Sequence, residues 1–372
     1  MKKKIFKKLY SEIFVFFIIT LFTLSSIVWI LQAVNFLDIV SEDGHSISTY
    51  FKFSSLVIAK IINETFLLSF FLALFYILVV YEENNQLLIY WSNSISKKKF
   101  LNNIIIFSLG LIVVSLLLSF YVVPFTQDKA RSYIRTSNLD FFPSLIKPKK
   151  FIDTVENLTV FLDTKENQKM EKIILKDSSN LNNIQIIIAK EGQIVNENNN
   201  KFLILNDGKI INTNLEKRST IFDFKETTFD LNKYHTKTTT KTKVQEITSA
   251  NILDCLKNIV PQKSIKFKNF NCHENLRKEL SQELYKRVYL PFYIILISII
   301  VCFLILNSHI NSDYKFKKIK IFLIGILFVV FSEISVNLIS ENNVKNLMIL
   351  SILPILILSF YITFLRKEKI SS

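Results

Sequence analysis

The sequence has few of the residues, and none of the patterns, on which many enzymes depend. Only four histidines and five glycines occur among 372 residues. No glycine begins a G-x-x-x-x-G-K-S/T phosphate loop, and G-x-S-x-G, H-E-x-x-H and C-x-x-C do not occur. These absences argue against a nucleotide-hydrolysing, serine-nucleophile or zinc-protease site. We therefore expect a protein that is not an enzyme by itself and that uses no cofactor or metal.

Acidic residues are scarce relative to basic ones, since 46 Lys and Arg against 31 Asp and Glu give a net charge of +15. Such a balance can indicate nucleic-acid binding. Here the basic residues crowd the ends of long apolar runs, a placement typical of membrane topology. Because 50% of the residues are also hydrophobic, we predict a membrane protein that binds no nucleic acid.

Six apolar runs are long enough to cross a hydrocarbon layer of about 30 Å, which takes about 20 helical residues. The first run follows a basic N-terminus, as in a signal peptide, but it has span length and no small-residue cleavage site follows it. The runs lie at 12–34, 56–81, 101–123, 288–307, 319–340 and 346–365. We predict an α-helical membrane protein with three transmembrane helices on each side of one long insertion.

The placement of lysine and arginine predicts the orientation of these helices. Basic clusters occur at both termini and in two loops that all fall on one side, whereas the short loops of the other side are acidic or sparsely charged. By the positive-inside rule, both termini are cytoplasmic, and the insertion is periplasmic in a multi-pass inner-membrane protein. The clusters are Lys2, Lys3, Lys4, Lys7 and Lys8; Lys97, Lys98 and Lys99; Lys315, Lys317, Lys318 and Lys320; and Arg366, Lys367 and Lys369.

The insertion reads as a β-rich domain of the sandwich or jelly-roll kind, because short β-branched and aromatic runs alternate with turn residues. Asp207-Gly208 between two apolar runs predicts a type I′ hairpin turn. Residues 202–205 are apolar at every position, so this strand is either buried on both faces or lines an apolar groove with one of them. The predicted domains are 1–124 (three helices), 125–287 (β-rich) and 288–372 (three helices).

Two of the three cysteines, Cys255 and Cys272, lie in the insertion, and Cys302 lies in an apolar run. A disulfide forms between the first two if the insertion faces an oxidising compartment, and otherwise they are unpaired thiols. Cys272-His273 alone is too little for a metal site.

Polar residues within and between the runs offer a few candidate sites. In the segment 82–96, apolar residues recur at helical spacing, which predicts a helix that either lies on the bilayer or docks into a partner. Glu333, with Asn337 one turn later, must face protein or water, so it either lines a passage or makes a helix–helix hydrogen bond. Lys60 and Glu64 are spaced for an ion pair on one helix face.

Four stretches, in this order, resemble the LptF/LptG permeases, the membrane subunits of the lipopolysaccharide-export ABC transporter. WILQAVNFLDIV at 29–40 resembles the end of the first helix of the F-type half, and YVVP at 121–124 resembles the close of the third. LTVFLD and KIILKD within 151–177 resemble the opening of the periplasmic β domain, and ELYKRVYLP at 283–291 resembles the entry to the fourth helix. The resemblance covers essentially the whole chain.

The resemblance implies that 82–96 is a coupling helix that contacts a cytoplasmic ATPase. In the family this segment reads S-E-hydrophobic and then R-A-x-G-hydrophobic-S, whereas here Gln86 replaces the acid and Ser94 replaces the glycine. The residues expected at the ATPase interface are Gln86, Leu87, Tyr90, Trp91, Ser94 and Ile95.

The implied function is that of a permease subunit that extracts lipopolysaccharide from the outer leaflet of the inner membrane and passes it to a β-domain bridge. The implied partners are an LptG-like permease, an LptB-like ATPase dimer and an LptC-like single-span bridge protein. Lys52 and Lys60 are expected near lipid phosphates, and Phe202 and Ile204 near acyl chains. A membrane-anchored sensor or assembly factor with a ligand-binding β domain is the alternative.

Overall fold

The computed structural model describes the chain except for residues 1, 38–46, 137–147, 156, 167–168, 181–182, 198–199, 215–218, 232–242, 259–264, 268–269, 273–275, 307–313 and 372. The chain divides into two compact units. The first comprises Met1–Ile30, Val57–Asp128 and Thr242–Ser372, and the second comprises Leu31–Leu56 and Lys129–Lys241.

Six helices in the described part of the chain are long and apolar enough to cross a membrane, which confirms the predicted number and their arrangement around an inserted sheet. They are span 1 (Lys3–Asn35), span 2 (Ile47–Glu83), span 3 (Lys97–Ile134), span 4 (Arg277–Leu306), span 5 (Tyr314–Leu338) and span 6 (Val344–Lys369). A helix pairs its backbone N–H and C=O groups internally. This is necessary in a membrane because hydrocarbon offers these groups no hydrogen-bond partner.

In the described residues, ten α-helices make up these spans and the segments beside them. They are α1 (Lys2–Asn35), α2 (Ile47–Glu83), α3 (Leu88–Ser92), α4 (Lys97–Leu117), α5 (Val123–Thr136), α6 (Ser249–Asn258), α7 (Arg277–Tyr289), α8 (Tyr293–Cys302), α9 (Tyr314–Leu338) and α10 (Asn343–Ser371). A π-helical turn, Leu118–Val122, joins α4 to α5 within span 3. Short 3₁₀ turns occupy Val244–Glu246, Leu290–Phe292 and Phe303–Leu306.

Span 2 supplies much of the core of the helical unit. Phe70, Phe71, Leu74 and Leu78 are fully buried, in one apolar cluster that also contains residues of spans 1, 3 and 4. Span 5 comes close to this core at Gly325, where an added Cβ would meet the Phe71 ring. Small residues permit such close approaches between membrane helices.

The second unit contains one antiparallel sheet, in which the strand order is β1-β2-β4-β5-β6-β7 and β3 pairs with β4. Leu158, Leu175, Leu203 and Leu205 contribute to the core on one of its faces. The strands are β1 (Ile152–Val155), β2 (Leu158–Phe161), β3 (Thr164–Glu166), β4 (Lys169–Asn180), β5 (Asn183–Glu197), β6 (Asn200–Asn214) and β7 (Ser219–Asp230). Two further strands, β8 (Ile265–Phe267) and β9 (Phe270–Cys272), pair in the first unit.

The in–out alternation of side chains reverses along one row of the sheet. On β4 the buried positions step from Met170 to Ile173, three residues apart instead of two, and on β5 they step from Ala189 to Gly192. Lys172, Lys190 and Asp207 stand opposite one another in this row, because their neighbours pair across β4, β5 and β6. We call these three residues the reversal row. It lets both halves of each long strand face the same core.

The predicted hairpin turn at Asp207-Gly208 is wrong. Both residues lie inside β6, which continues to Asn214 and pairs with β5 and β7 along its length. Asp207 does adopt a positive φ of 50°, as does Lys172 at 51°. The left-handed conformation of Asp207 therefore belongs to the reversal row inside a strand. It does not form a turn between two strands.

Candidate functional site

The segment between spans 2 and 3 is a tight, well-bonded structure. Span 2 ends in a Schellman motif around Asn85 (φ 59°), in which the amide of Gln86 donates to the carbonyl oxygen of Tyr81 at 2.8 Å. The short α3 ends in a second one around Ser94 (φ 54°), where the amide of Ile95 donates to the carbonyl oxygen of Tyr90 at 3.1 Å. The predicted continuous helix over 82–96 is therefore wrong. The two left-handed residues divide the segment into a turn after span 2, the short helix α3, and a second turn before span 3.

Three of the residues predicted at the ATPase interface face inward. Leu87, Tyr90 and Ile95 are 2–3% exposed. The Tyr90 ring packs edge-on against the rings of Phe6 and Phe100, with centroids 5.4 and 5.1 Å away. Burial, with the Glu12 carboxylate as the second cause, raises the pKa of Tyr90, so its hydroxyl stays protonated at physiological pH. These side chains fix the segment to the helix ends beneath it.

The outward apolar face of the segment consists instead of Leu88 and Ile89, which are 58% and 51% exposed. Ser94 is exposed too, whereas Gln86 and Trp91 are half-buried. Neither Leu88 nor Ile89 was among the residues expected at the ATPase interface, although the predicted helix over 82–96 has Leu88 on the same apolar face as Leu87, Trp91 and Ile95. Only the turn at Asn85 shows which face is free.

Polar contacts tie the ends of the segment to other helices of the same unit. Glu83, the last residue of span 2, forms an ion pair with Lys318 of span 5 at 2.7 Å. Ser96 caps α4 by accepting from the amide of Lys99 at 3.2 Å, and the amide of Lys98 donates to a Glu368 carboxylate oxygen at 2.8 Å. A movement of the segment is therefore mechanically connected to spans 5 and 6.

A polar cleft lies among spans 2, 3 and 4. Glu64 of span 2 forms an ion pair with Lys286 of span 4 at 2.9 Å, and Lys60 approaches the same carboxylate oxygen at 3.9 Å, as the predicted i,i+4 pair requires. Asn63 accepts a hydrogen bond from the Ser119 hydroxyl at 2.9 Å. One carboxylate therefore holds two lysines, so neither ammonium group is a fully free cation for a ligand.

Two small cavities flank the Glu64–Lys286 pair, each of about 20 Å³. That is room for about one water molecule, which needs two to four polar partners. Both cavities touch Asn63, Glu64, Ser119 and Lys286, and the second also reaches Glu333 of span 5. The cleft suits ordered water around paired charges.

Arg287, next to Lys286 in the chain, is only 2% exposed, yet its guanidinium is well satisfied. Its Nε donates to Glu283 at 2.8 Å. Its Nη1 donates to the Ile247 carbonyl and the Ser249 hydroxyl, both at 2.9 Å, and Nη2 donates to the Gln245 carbonyl at 3.1 Å. We call these contacts the Arg287 clamp; they hold the segment that precedes α6 against the start of span 4.

The profile of the lipopolysaccharide export system permease family LptF/LptG matches residues 7–367, nearly the whole chain. The chain belongs to the LptF/LptG family. The match does not separate the LptF half from the LptG half. No curated protein matches the sequence.

Membership gives this chain the general role of a permease in lipopolysaccharide export, that is, of a transport component. Membership also bears on Ser94, which stands where the family motif has glycine. This residue is the left-handed position after a helix, where glycine is the usual occupant, so a family glycine here is explained by backbone conformation. Serine occupies the position at a conformational cost.

The other predicted site residues are scattered. Lys52 is exposed, with its ammonium 5.6 Å from the centre of the Tyr133 ring. Phe202 and Ile204 are half-buried on the face of β6 opposite to the buried Leu203 and Leu205, so that strand is apolar on both faces, as predicted.

Glu333 and Asn337 lie on the exposed side of span 5. The buried side of the same helix end makes the hydrogen bonds that sequence reasoning missed: the Tyr285 hydroxyl donates to the Ser335 Oγ at 3.1 Å, and the Gln282 side chain donates to the Ile339 carbonyl at 3.2 Å.

Lys286 and Arg287 were missed as well, although both lie in the ELYKRVYLP stretch. The sequence did contain a signal: Glu283 and Arg287 are spaced for an i,i+4 pair. What it lacked was the fold, which brings Glu64 and residues 245–249 to them.

Proposed function

We propose that this LptF/LptG chain extracts lipopolysaccharide from the outer leaflet of the inner membrane and delivers it to its β-sheet unit. The energy comes from a separate ATPase dimer that docks on the segment between spans 2 and 3. A homologous permease subunit and a single-span bridge protein complete the transporter. The observation that carries the proposal is the exposed Leu88–Ile89 pair, held on a segment with two Schellman motifs.

The geometry of this segment suits force transmission. Its inner face is anchored by Leu87, Tyr90 and Ile95, while Leu88 and Ile89 present an apolar contact to solvent. Burying this pair in an interface with a partner removes apolar surface from water, which is favourable. Because Glu83 and Ser96 bound the segment and bond to neighbouring helices, a push on Leu88 and Ile89 reaches spans 5 and 6. ATPase contact thus becomes helix movement.

The proposed orientation has two independent supports. The lysine clusters support a cytoplasmic location for the segment between spans 2 and 3. The structure also contains a disulfide between Cys255 and Cys272, on the opposite side of the spans in sequence order, and disulfides persist in oxidising compartments. We infer that α6 and the sheet unit are periplasmic.

The proposed lipid contacts follow from the same orientation across the membrane. We propose that Lys52, which is exposed and bonds only weakly to an aromatic ring, meets lipid phosphate, and that Lys60 takes part once phosphate competes with Glu64. Phe202 and Ile204 offer an apolar surface to acyl chains on the strand face away from the leucine core. Glu333 and Asn337 face a partner subunit or an aqueous passage, because an exposed carboxylate does not face hydrocarbon.

Purification of the transporter in mild detergent tests the docking proposal. The variant Leu88→Asp/Ile89→Asp should insert normally and lose at least about tenfold of its co-purifying ATPase, because an unpaired charge cannot be buried in an apolar interface. Leu253→Asp, also at an exposed leucine (40%) but on α6, is the matched control and should retain the ATPase. Wild-type ATPase stoichiometry in the Leu88/Ile89 variant would refute this docking face.

Reporter fusions test the orientation separately. Fusions after Lys98 and Lys317 should report cytoplasm, and a fusion after Asp254 should report periplasm. The reverse pattern would overturn the transport direction proposed here.

Photo-crosslinkers at Phe202, Leu203, Ile204 and Leu205 test the lipid path. Lipid adducts at 202 and 204, dependent on ATP hydrolysis, support it. Adducts at none of the four positions would place the path elsewhere.

A further inference from the structure

The segment 244–272, which we call the stapled segment, has a very small core of its own. Among its described residues (244–258, 265–267 and 270–272), Val244, Ile247, Ile252, Cys255 and Cys272 are buried together with Leu280 of α7, and Leu256, Leu276 and Leu284 pack against them. Cores of this size do not usually hold a fold without a covalent or metal staple. The disulfide between Cys255 of α6 and Cys272 of β9, 17 positions apart, supplies one.

The stapled segment supplies most of the partners of the buried Arg287. Three of the four hydrogen-bond acceptors of its guanidinium belong to residues 245–249. If this segment opens, the Arg287 guanidinium keeps only the Glu283 carboxylate among these four acceptors and exchanges the other three for water. The Arg287 clamp therefore depends on the segment being closed.

The same segment also reaches span 3. Pro124 has no N–H to give to the carbonyl of Phe120, four residues earlier. The Ser249 hydroxyl donates to that carbonyl at 3.3 Å, while it accepts from Arg287. Ser249 thus joins the π-helical turn of span 3 to the start of span 4. Both connections disappear if the stapled segment is not in place.

We propose that Cys255 and Cys272 are an oxidative maturation site, which makes this permease a client of an extracytoplasmic protein dithiol oxidase. The thiolate of one cysteine attacks the oxidase disulfide and forms a mixed disulfide, and the second cysteine then displaces the oxidase thiol. Two electrons and two protons pass from the permease to the oxidase. The disulfide closes the stapled segment and thereby completes both the Arg287 clamp and the contact of Ser249 with span 3.

The burial of the sulfurs makes this step part of assembly and not a reversible switch. Cys255 and Cys272 are 1% and 2% exposed in the folded chain, and thiol–disulfide exchange requires access to a sulfur. Oxidation therefore precedes closure of the segment, and reductants do not reach the bond afterwards. The proposal rests on the periplasmic orientation proposed above.

Alkylation of the full-length chain tests the disulfide itself. A maleimide-polyethylene glycol reagent, applied to denatured membranes from cells, should add one group before reduction, at Cys302, and three groups after it. Three groups before reduction would overturn the proposal. In that event, a periplasmic report from the fusion after Asp254 would spare the orientation, whereas a cytoplasmic report would remove both.

Native-state proteolysis of the purified full chain tests the connection to Arg287. Cys255→Ser/Cys272→Ser should open the 244–276 region about a hundredfold more readily, the change expected for losing a loop closure of this size. Cys302→Ala, at the free buried cysteine, is the control and should leave cleavage of this region unchanged. Unchanged resistance in the double serine variant would overturn the proposal.

A double-mutant cycle separates a shared structure from two unrelated defects. Arg287→Met should increase opening in the wild-type chain, and should add less than about threefold in the double serine background, where its acceptors are already displaced. Fully multiplicative effects would show that Arg287 and the disulfide act independently, and would refute the connection proposed here.

Discussion

Spans 4 and 5 follow each other in the chain and have similar mean hydropathy, 2.8 and 2.3, but they are used differently. In span 4, 67% of the most apolar stretch is buried within the described chain, against 17% in span 5. Span 4 is covered by its own chain, whereas span 5 leaves Leu323, Leu327 and Val330 more than half exposed. Hydropathy identifies a membrane helix but does not say what surrounds it.

The polar residues of the two spans differ in the same way. Lys286 and Arg287, in the first half of span 4, are each paired within the chain. Span 5 carries Glu333 and Asn337 on its exposed side. Span 5 pairs Lys318 with Glu83 inside the chain, but the exposed Glu333 and Asn337 remain accessible to another surface.

The largest effect should come from the Arg287 clamp of span 4. Arg287→Met leaves three acceptors and the Glu283 carboxylate without their donor, and should destabilise the detergent-solubilised protein by about 3 kcal/mol. Thermal unfolding measures it. Arg366→Met, at an exposed residue near the end of span 6, is the control and should change stability by less than about 0.5 kcal/mol. Equal effects at both sites would contradict the clamp.

The close approach of span 5 to span 2 should be the next most sensitive feature. Gly325→Leu places a side chain into the Phe71 ring and should cost about 1–3 kcal/mol through overpacking. Gly110→Leu in span 3 is the matched control, since a Cβ there meets nothing within 4 Å. If the two leucine variants unfold at the same temperature, span 5 does not pack on Phe71 in the membrane.

The ion pair in the polar cleft should matter less. The side chains of Lys286 and Glu64 are 26% and 30% exposed, so solvent screens them, and Lys286→Met should cost about 1 kcal/mol. Adding Glu64→Leu to that variant should recover part of the loss, because it removes the carboxylate left without its closest lysine. Lys345→Met, at an exposed lysine, is the control. A double variant less stable than Lys286→Met would argue against direct pairing.

The smallest effect, and the only gain, is expected in the segment between spans 2 and 3. Ser94→Gly removes the cost of a left-handed serine and should stabilise the chain by about 1 kcal/mol. Asn93→Gly, one residue earlier at a φ of −84°, should not stabilise it. A rise in thermal stability for both variants would mean that the φ of Ser94 is not the cause.

Patterns that repeat over many residues were predictable from the sequence. Six runs of span length identified six membrane helices, and alternating apolar residues identified the inserted sheet. Lys60 and Glu64 were predicted as a pair because an i,i+4 relation is local. The third member of that group, Lys286, lies 222 positions from Glu64, and nothing local in the sequence links them.

The errors arose where one residue changes the backbone direction. A left-handed conformation at Asn85 was not anticipated, so the face of 82–96 was assigned as if the helix continued. Leu88 was counted on the apolar face but not in the expected interface, and Ile89 was overlooked. At Asp207 the left-handed conformation was anticipated but given to a turn, since local sequence does not reveal whether β5 and β7 flank the residue. In both cases, residues distant in the sequence decide whether a residue with positive φ ends a helix, forms a turn or lies within a strand.

The reversal row at Lys172, Lys190 and Asp207 constrains how the sheet can change over evolutionary time. Beyond this row, the inward-facing positions of β4, β5 and β6 line up only because all three strands reverse their in–out alternation at the same row. A deletion of one residue from β5 alone would turn the inward-facing isoleucine side chain of half that strand outward, while the core residues of β4 and β6 still pointed inward. Insertions and deletions should therefore be tolerated in the connections between strands, and rejected inside any one of these three strands unless its neighbours change with it.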